Sequence, residues 1–381
     1  MDFNLSEDEL GVQKLARDFN KKEIEPLAAG IDRDGRLPDD LIKKFAKSGL
    51  LGMTIPKKYG GSGAGNLACA LAIEQLAYSG CGAWWVVGFN NSIPESITHF
   101  ASEAIKEKYL KAFTDGSAYA SIQFTEADTG SDHSALTTTS VLDGDSYVLN
   151  GEKRFSTFGA RPGYSVTYTK HEAAQCTAFV IEKRNPGYSA PQVPELMGGG
   201  GMEAADVYFE NFRVPKTNLL GEPGKGAEIL LFWISTEKIE QCAASVGIAQ
   251  AALDEAVRYV KTRMSRGKPV SSMQGVRWML ADMQAKLEAC RWLTYKTAFS
   301  QDQALRSENP GQGWQTEAAA AKLFVVPTAT EIVDMARRLH GAYGYTKEFK
   351  IERLYRAMAG FSVIATSLEI NKSIVGGGLV G

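Results

Sequence analysis

The chain has 381 residues, 44% of them hydrophobic and 23% charged, with a net charge of -2. That length exceeds one small core, so two or three domains are expected. The near-neutral balance gives no case for a nucleic acid or an anionic membrane as partner, and no apolar run approaches the ~18 residues of a spanning helix.

The N-terminus, Met1 to Glu9, is acidic and already helical in pattern, unlike a signal or transit peptide. The five cysteines are scattered without a Cys-x-x-Cys, and the four histidines lack metal-ligand spacing. Reduced thiols in a cytoplasmic protein, with no bound metal, are the expectation.

Residues 1–120 read as a helical domain. Val12, Leu15, Ala16 and Phe19 recur at helical spacing, and Leu41, Ile42, Phe45 and Ala46 form a second stripe ended by Gly49. A glycine-rich turn segment follows Tyr59, then a helical stretch from Leu67 to about Tyr78. Trp84, Trp85 and Phe89 make an aromatic cluster.

Residues 121–233 change texture. Short runs of strand propensity, such as Ser146 to Asn150 and Thr177 to Ile181, are separated by Asn150-Gly151 and by a glycine run, Gly198 to Gly201. No helical stretch lies between them for parallel crossovers, so an antiparallel β domain is expected.

Residues 234–381 are helical again. Ile239, Cys242, Val246, Ala249, Leu253, Val257 and Val260 step by three and four residues. With three further amphipathic stretches, the last from Phe349 to Val375, they predict a four-helix bundle whose first helix opens at Glu237. An acidic residue in a first turn is favoured by the helix dipole, and Glu240 shares that preference. The fold class expected is therefore multidomain α+β: helices, then an antiparallel sheet, then a four-helix bundle.

Several motifs agree in order and spacing. They are Gln123-Phe-Thr-Glu-Ala-Asp-Thr-Gly-Ser-Asp132, Asn150-Gly-Glu-Lys-Arg-Phe-Ser-Thr157, Val246-Gly-Ile-Ala-Gln250, Arg263-Met-Ser-Arg-Gly-Lys268 followed by Gln274, and His340-Gly-Ala-Tyr-Gly344. Together with Ile55-Pro-Lys-Lys-Tyr-Gly-Gly61, they resemble the acyl-CoA dehydrogenase family over nearly the whole chain.

The resemblance implies an FAD enzyme that forms a double bond α,β to a thioester. It implies that Phe124 and Thr125 serve the pyrimidine edge of the flavin, that Ser131 reaches a phosphate, that Phe155 covers the ring, and that Ser156 and Thr157 contact it near N5. Arg263, Ser265, Gln274 and Arg338 would reach the adenine-side phosphates, partly from a neighbouring subunit of a homotetramer or homodimer. Gly341 and Ser367 would add further cofactor contacts. Arginine forks suit diphosphate oxygens.

The base departs from the commoner pattern. Where most members keep a glutamate, this chain has Ala365, followed by Thr366 and Ser367. A minority of the family, including isovaleryl-CoA and carrier-bound prolyl dehydrogenases, carries the carboxylate on the first bundle helix. Counting back from Val246-Gly247 puts Glu237 there. The resemblance also implies that the Ala365 amide binds the thioester oxygen, and that Trp84, Trp85 and Phe89 close the acyl pocket around a short, branched or cyclic group. Ser235 and Lys238, with Thr366, fall on substrate positions.

Lys238 and Ser235 replace residues usual in CoA-using relatives, which raises an acyl carrier protein thioester as the alternative to acyl-CoA. Electron-transfer flavoprotein is the acceptor implied. A silent flavin- or thioester-binding paralogue is the reading from another class.

Overall fold

The computed structural model describes residues 4–171, 175–192, 195–307 and 313–380. Six helices lead: α1 (Glu7–Phe19), α2 (Ala28–Asp34), α3 (Leu41–Ser48), α4 (Asn66–Ala77), α5 (Trp84–Phe100) and α6 (Glu103–Thr114). Ser6 and Glu9 form a capping box at the start of α1, satisfying amides that the helix leaves unpaired. α4 and α5 are buried along nearly their whole lengths and carry the apolar wall facing the rest of the chain.

Eight strands follow: β1 (Tyr119–Gln123), β2 (Thr139–Asp143), β3 (Ser146–Thr157), β4 (Gly163–His171), β5 (Gln175–Glu182), β6 (Tyr188–Gln192), β7 (Ala204–Pro215) and β8 (Leu219–Leu220). The sheet order is β6-β7-β3-β2-β4-β5-β8, with β1 on β4. The sheet is mixed, which corrects the antiparallel expectation. β1 runs parallel to β4 from Tyr119 opposite Gly163 to Gln123 opposite Thr167, and β2 meets β4 in parallel at Thr139. The β2–β3 hairpin lies between β1 and β4 in the chain and supplies the long crossover that a helix was expected to supply.

The remaining helices are α7 (Gly226–Thr262), α8 (Gln274–Arg306), α9 (Gly313–Leu339), α10 (Lys350–Ala359) and α11 (Leu368–Val380), with a two-stranded hairpin of β9 (Met264–Ser265) and β10 (Lys268–Pro269) after α7. Two sequence expectations change here. α7 begins at Gly226, so Glu237 lies about three turns inside it rather than at its start. The apolar run Ile229 to Ile234 has no polar face to reveal its helical period, which hid those turns. The dipole effect fades within the first turn, so it does not account for Glu237.

The last stretch is not one helix. It breaks after α10, where Ala365 and Thr366 take positive φ values of 54° and 88°. Neither conformation continues a right-handed helix.

Candidate active site

A cavity of about 550 Å³ opens where α5, α7, the sheet and the break after α10 converge. Its aromatic end is made by Trp85 and Phe89 from α5, Trp233 from α7 and Phe361. Phe89 meets the rings of Trp85 and Trp233 edge-on at 5.3 and 5.8 Å, arrangements that lock ring walls in place. Trp84 does not line the cavity. It stacks on Trp85 at 4.0 Å and sets an edge against Phe361, so it backs the wall.

The opposite side comes from the sheet and its loops: Phe124, Thr125, Ser131, Phe155 and Thr157. The strand register shifts between Lys153 and Ser156, and such a bulge re-aims side chains. Phe155 sits in it with φ 56° and is 53% exposed beside the cavity, with the Arg154 guanidinium over its ring at 5.6 Å. The Phe124–Thr125 turn is held twice. The Arg154 amide donates to the Thr125 carbonyl at 2.7 Å, and Lys153 Nζ donates to the Phe124 carbonyl at 3.2 Å. Lys153 also pairs with Glu126 at 2.6 Å, both buried.

Glu237 is the only carboxyl among the described residues that line the cavity. It is 3% exposed and accepts from Gln241 Nε2 at 3.3 Å. Burial pushes its carboxyl up to about 7, with Lys322, Gln241 and Lys238 pulling the other way. Glu240, one turn on, is outside the cavity. It accepts from Ser92 Oγ at 3.4 Å, and burial plus the neighbouring Glu237 raise it well above the usual carboxylate range. The two acids that share a helical preference are therefore distinct in place: one lines the cavity and the other faces α5.

Ala365 and Thr366 also line the cavity. Their backbone is tied down by Lys322 of α9, whose Nζ donates to the carbonyls of Ile364 and Thr366, the latter at 2.8 Å. Ser367 is elsewhere employed: its Oγ accepts from the Ile370 amide at 3.4 Å at the start of α11, and it does not line the cavity. Ser235 and Lys238 are buried off the cavity.

Arg263, Gln274, Arg338 and Gly341 are exposed, with Ser265 half-buried. The up-down course of α7, α8 and α9 brings them to one end of the bundle, and none lines the cavity.

Trp233 and Phe361 are among the cavity contributors not singled out in the sequence, and the glycine run was read there only as a separator between strands. Lys322, which touches the cavity only through the carbonyls it holds, was also missed. Its signal was legible, since it is a lone lysine in the apolar run Ala318 to Val326.

The residues fit an isoalloxazine ring. Ser156 does not itself line the cavity but lies between Phe155 and Thr157, which do, and its Oγ is buried with no hydrogen-bond partner among the described residues. The exposed ring of Phe155 stands at the cavity together with the Phe124–Thr125 turn. Both features call for a flat, polar-edged occupant.

Comparisons with known proteins agree with this geometry. Residues 6–117, 121–212 and 224–380 match the acyl-CoA dehydrogenase N-terminal, middle and C-terminal domain profiles. The chain is 35% identical to acryloyl-CoA reductase (NADH) of Anaerotignum propionicum, over 98% of this chain and 95% of that one. It is 32% identical to the caffeyl-CoA reductase-Etf complex subunit CarC of Acetobacterium woodii, over 98% and 99%. Butyryl-CoA dehydrogenase from Megasphaera elsdenii superposes with a TM-score of 0.95 at 31% identity, covering all of both chains. The protein with this cavity belongs to the acyl-CoA dehydrogenase family of FAD-dependent oxidoreductases acting on CH–CH bonds.

Proposed function

We propose that the protein dehydrogenates a short, branched or cyclic acyl-CoA across its α,β carbons, with Glu237 as the base that removes the α-proton. The observation that carries this reading is that Glu237 is the one carboxyl among the described residues of a cavity wall that also holds the alanine at position 365. Bound FAD supplies the hydride acceptor.

The chain's own residues do the rest. Glu237, buried and poised near neutrality, takes a proton when ionised and returns one when neutral. The Ala365 amide, held in its strained backbone, offers a donor to the thioester oxygen as negative charge develops there. Phe124, Thr125, Phe155, Ser156 and Thr157 seat the flavin. Trp85, Phe89, Trp233 and Phe361 close the acyl end with flat rings, which favours a compact or cyclic group over a long chain.

CoA is the carrier in this reading. The carrier-protein alternative drew on Ser235 and Lys238, and neither side chain reaches the cavity wall. The relative named as part of an Etf complex supports electron-transfer flavoprotein as the electron acceptor. The placement of Arg263, Ser265, Gln274 and Arg338 at the bundle end supports a homodimer or homotetramer in which one subunit reaches another's cofactor.

The test is anaerobic bleaching of the flavin with a panel of CoA and carrier-protein thioesters, for the wild type and Glu237→Gln. Bleaching that survives Glu237→Gln removes Glu237 as the base. Preference for carrier-bound thioesters selects the biosynthetic alternative, and no bleaching with any thioester selects a silent binding protein.

A further inference from the structure

Lys322 is fully buried in α9. A buried ammonium is costly unless its donors find acceptors. Two of its acceptors are the carbonyls of Ile364 and Thr366, which bracket Ala365. Ala365 between them and Thr366 itself hold left-handed backbone at φ 54° and 88°, a conformation that non-glycine residues keep only where surroundings impose it. The segment has no helix of its own. It lies between a turn of 3-10 helix at Gly360–Ser362 and the start of α11. Lys322 holds the carbonyls on either side of Ala365 from α9, and Asn371 of α11 adds bonds to Thr366 Oγ1 and the Ser367 carbonyl at 3.0 and 2.8 Å.

Helix α9, which carries Lys322, packs along α7, which carries Glu237. The charged and titratable groups there that act on it or on Glu237 are Lys238, Glu240 and Cys242, with Gln241 hydrogen-bonded to Glu237. Lys322 is the cation from outside α7 that opposes the burial of Glu237. Burial pushes the lysine down while Glu237 pulls it back up. Even lowered to about 8 it is largely an ammonium at pH 7, and the two carbonyl acceptors favour that form.

We propose that Lys322 is a positioning residue of the reaction: its ammonium clamps the Ala365 segment where the thioester oxygen must sit and places a positive charge behind Glu237. This rests on Glu237 being the base. One buried charge then serves two jobs at the cavity wall. It orients the amide donor, and it keeps a desolvated carboxyl ionisable at neutral pH. A lysine with a purely structural role would tie α9 to the loop and leave the ionisation of Glu237 unchanged.

The experiment compares FAD-loaded wild type, Lys322→Met, Lys322→Arg and Glu237→Gln. The infrared carboxyl band lost in Glu237→Gln identifies Glu237, and its pH titration needs no substrate. The midpoint is expected near 7 in the wild type. It should rise in Lys322→Met by about one unit or more, a tenfold or greater change in the ionised fraction below the midpoint. Lys322→Arg keeps the charge but not the fit, so its midpoint should stay near wild type while amide exchange across residues 360–368 speeds up.

Bleaching by butyryl-CoA at pH 7 should slow on the order of 10²-fold in Lys322→Met and recover in part at higher pH. An unchanged midpoint in Lys322→Met, or unchanged exchange across the loop, overturns the proposal. If Lys322→Met does not fold, a shifted midpoint in Lys322→Arg overturns it instead. Bleaching that persists in Glu237→Gln would defeat the base assignment alone, since the infrared midpoint still reports whether Lys322 governs Glu237.

Discussion

The amide of Gly82 donates to the carbonyl of Gly200 at 2.7 Å, pinning the glycine strap against the turn that leads into α5. A Cβ on Gly82 would stand 2.5 Å from the Met202 nitrogen, and one on Gly200 would stand 2.5 Å from the Asp32 carbonyl oxygen. These are backbone atoms with nowhere to go. Met197, Gly199 and Met202 line both the active cavity and a second hollow of about 990 Å³ on the other side. The strap is therefore the partition between two spaces, and its lack of side chains is what lets it be thin.

Gly200→Ala should accordingly destabilise the protein by about 1–3 kcal/mol, the range for overpacking against atoms that cannot yield. Gly199→Ala should cost only about 1 kcal/mol: Gly199 has φ +71° but nothing within 4 Å of its Cβ position. Denaturant midpoints at constant slope would measure both, and equal losses would contradict the partition account.

Lys153→Met should weaken flavin retention and lower stability by about 3–5 kcal/mol, because it strands the buried Glu126 carboxylate. Burial alone would raise Glu126, but Lys153 and the hydrogen bonds from Thr137 and Thr138 outweigh it and hold it down to about 2. Loss of the lysine also frees the Phe124 carbonyl and loosens the turn at the cavity rim. Flavin content after gel filtration, compared with the unfolding midpoint, separates the two effects.

Glu237→Gln should slow flavin bleaching by roughly 10²–10⁴-fold, the usual worth of a positioned base. Glu240→Gln, one turn away but outside the cavity, should leave the rate within about tenfold of wild type. In the wild type the rate should rise with pH through about 7, since Glu237 takes a proton only when ionised and its carboxyl is raised to that range. Stopped-flow traces from pH 5.5 to 8.5 (roughly one and a half units either side) would reveal the limb. A flat profile would show that no group controlling the step titrates in this range, and would count against Glu237 as the base.

Glu95→Gln should stabilise the protein at pH 8 and change little near pH 4.5. Burial raises Glu95 from 4.5 to about 8, with Asn66 opposing and Asp302 adding to the rise. Between those values the folded state keeps a proton that the unfolded chain has lost, so stability falls as pH climbs and the full cost is reached above about 8. A glutamine carries no such penalty. Glu95 accepts from Asn66 Nδ2 at 2.8 Å and from Gln301 Nε2 at 3.4 Å, so the new amide N–H is accommodated by turning the Gln301 amide to present its Oε1, which is buried without a partner among the described residues. Melting temperatures at the two pH values test this, and a destabilised variant at pH 8 would refute it.

The sequence determined a good deal by itself. Periodicity marked the helical ends, turn residues marked the strands between them, and the resemblance carried by motifs such as Asn150 to Thr157 pointed to residues, Phe155 and Thr157, that line the cavity. These signals are local, carried by residues within one element. Motif spacing also singled out Glu237, although the helix start assigned to it was wrong by about three turns because an all-apolar run has no face to read.

What only the tertiary structure decided depends on elements far apart in the chain. It parted Glu237 from Glu240 by facing one into the cavity and the other toward α5. It moved Trp84 behind the wall and took Ser367 into the start of α11. It gave the glycine run its purpose as a partition and brought Lys322 under Ala365. Burial, counter-charge and backbone strain at a position are set by what packs against it, and the chain order of residues does not encode that directly.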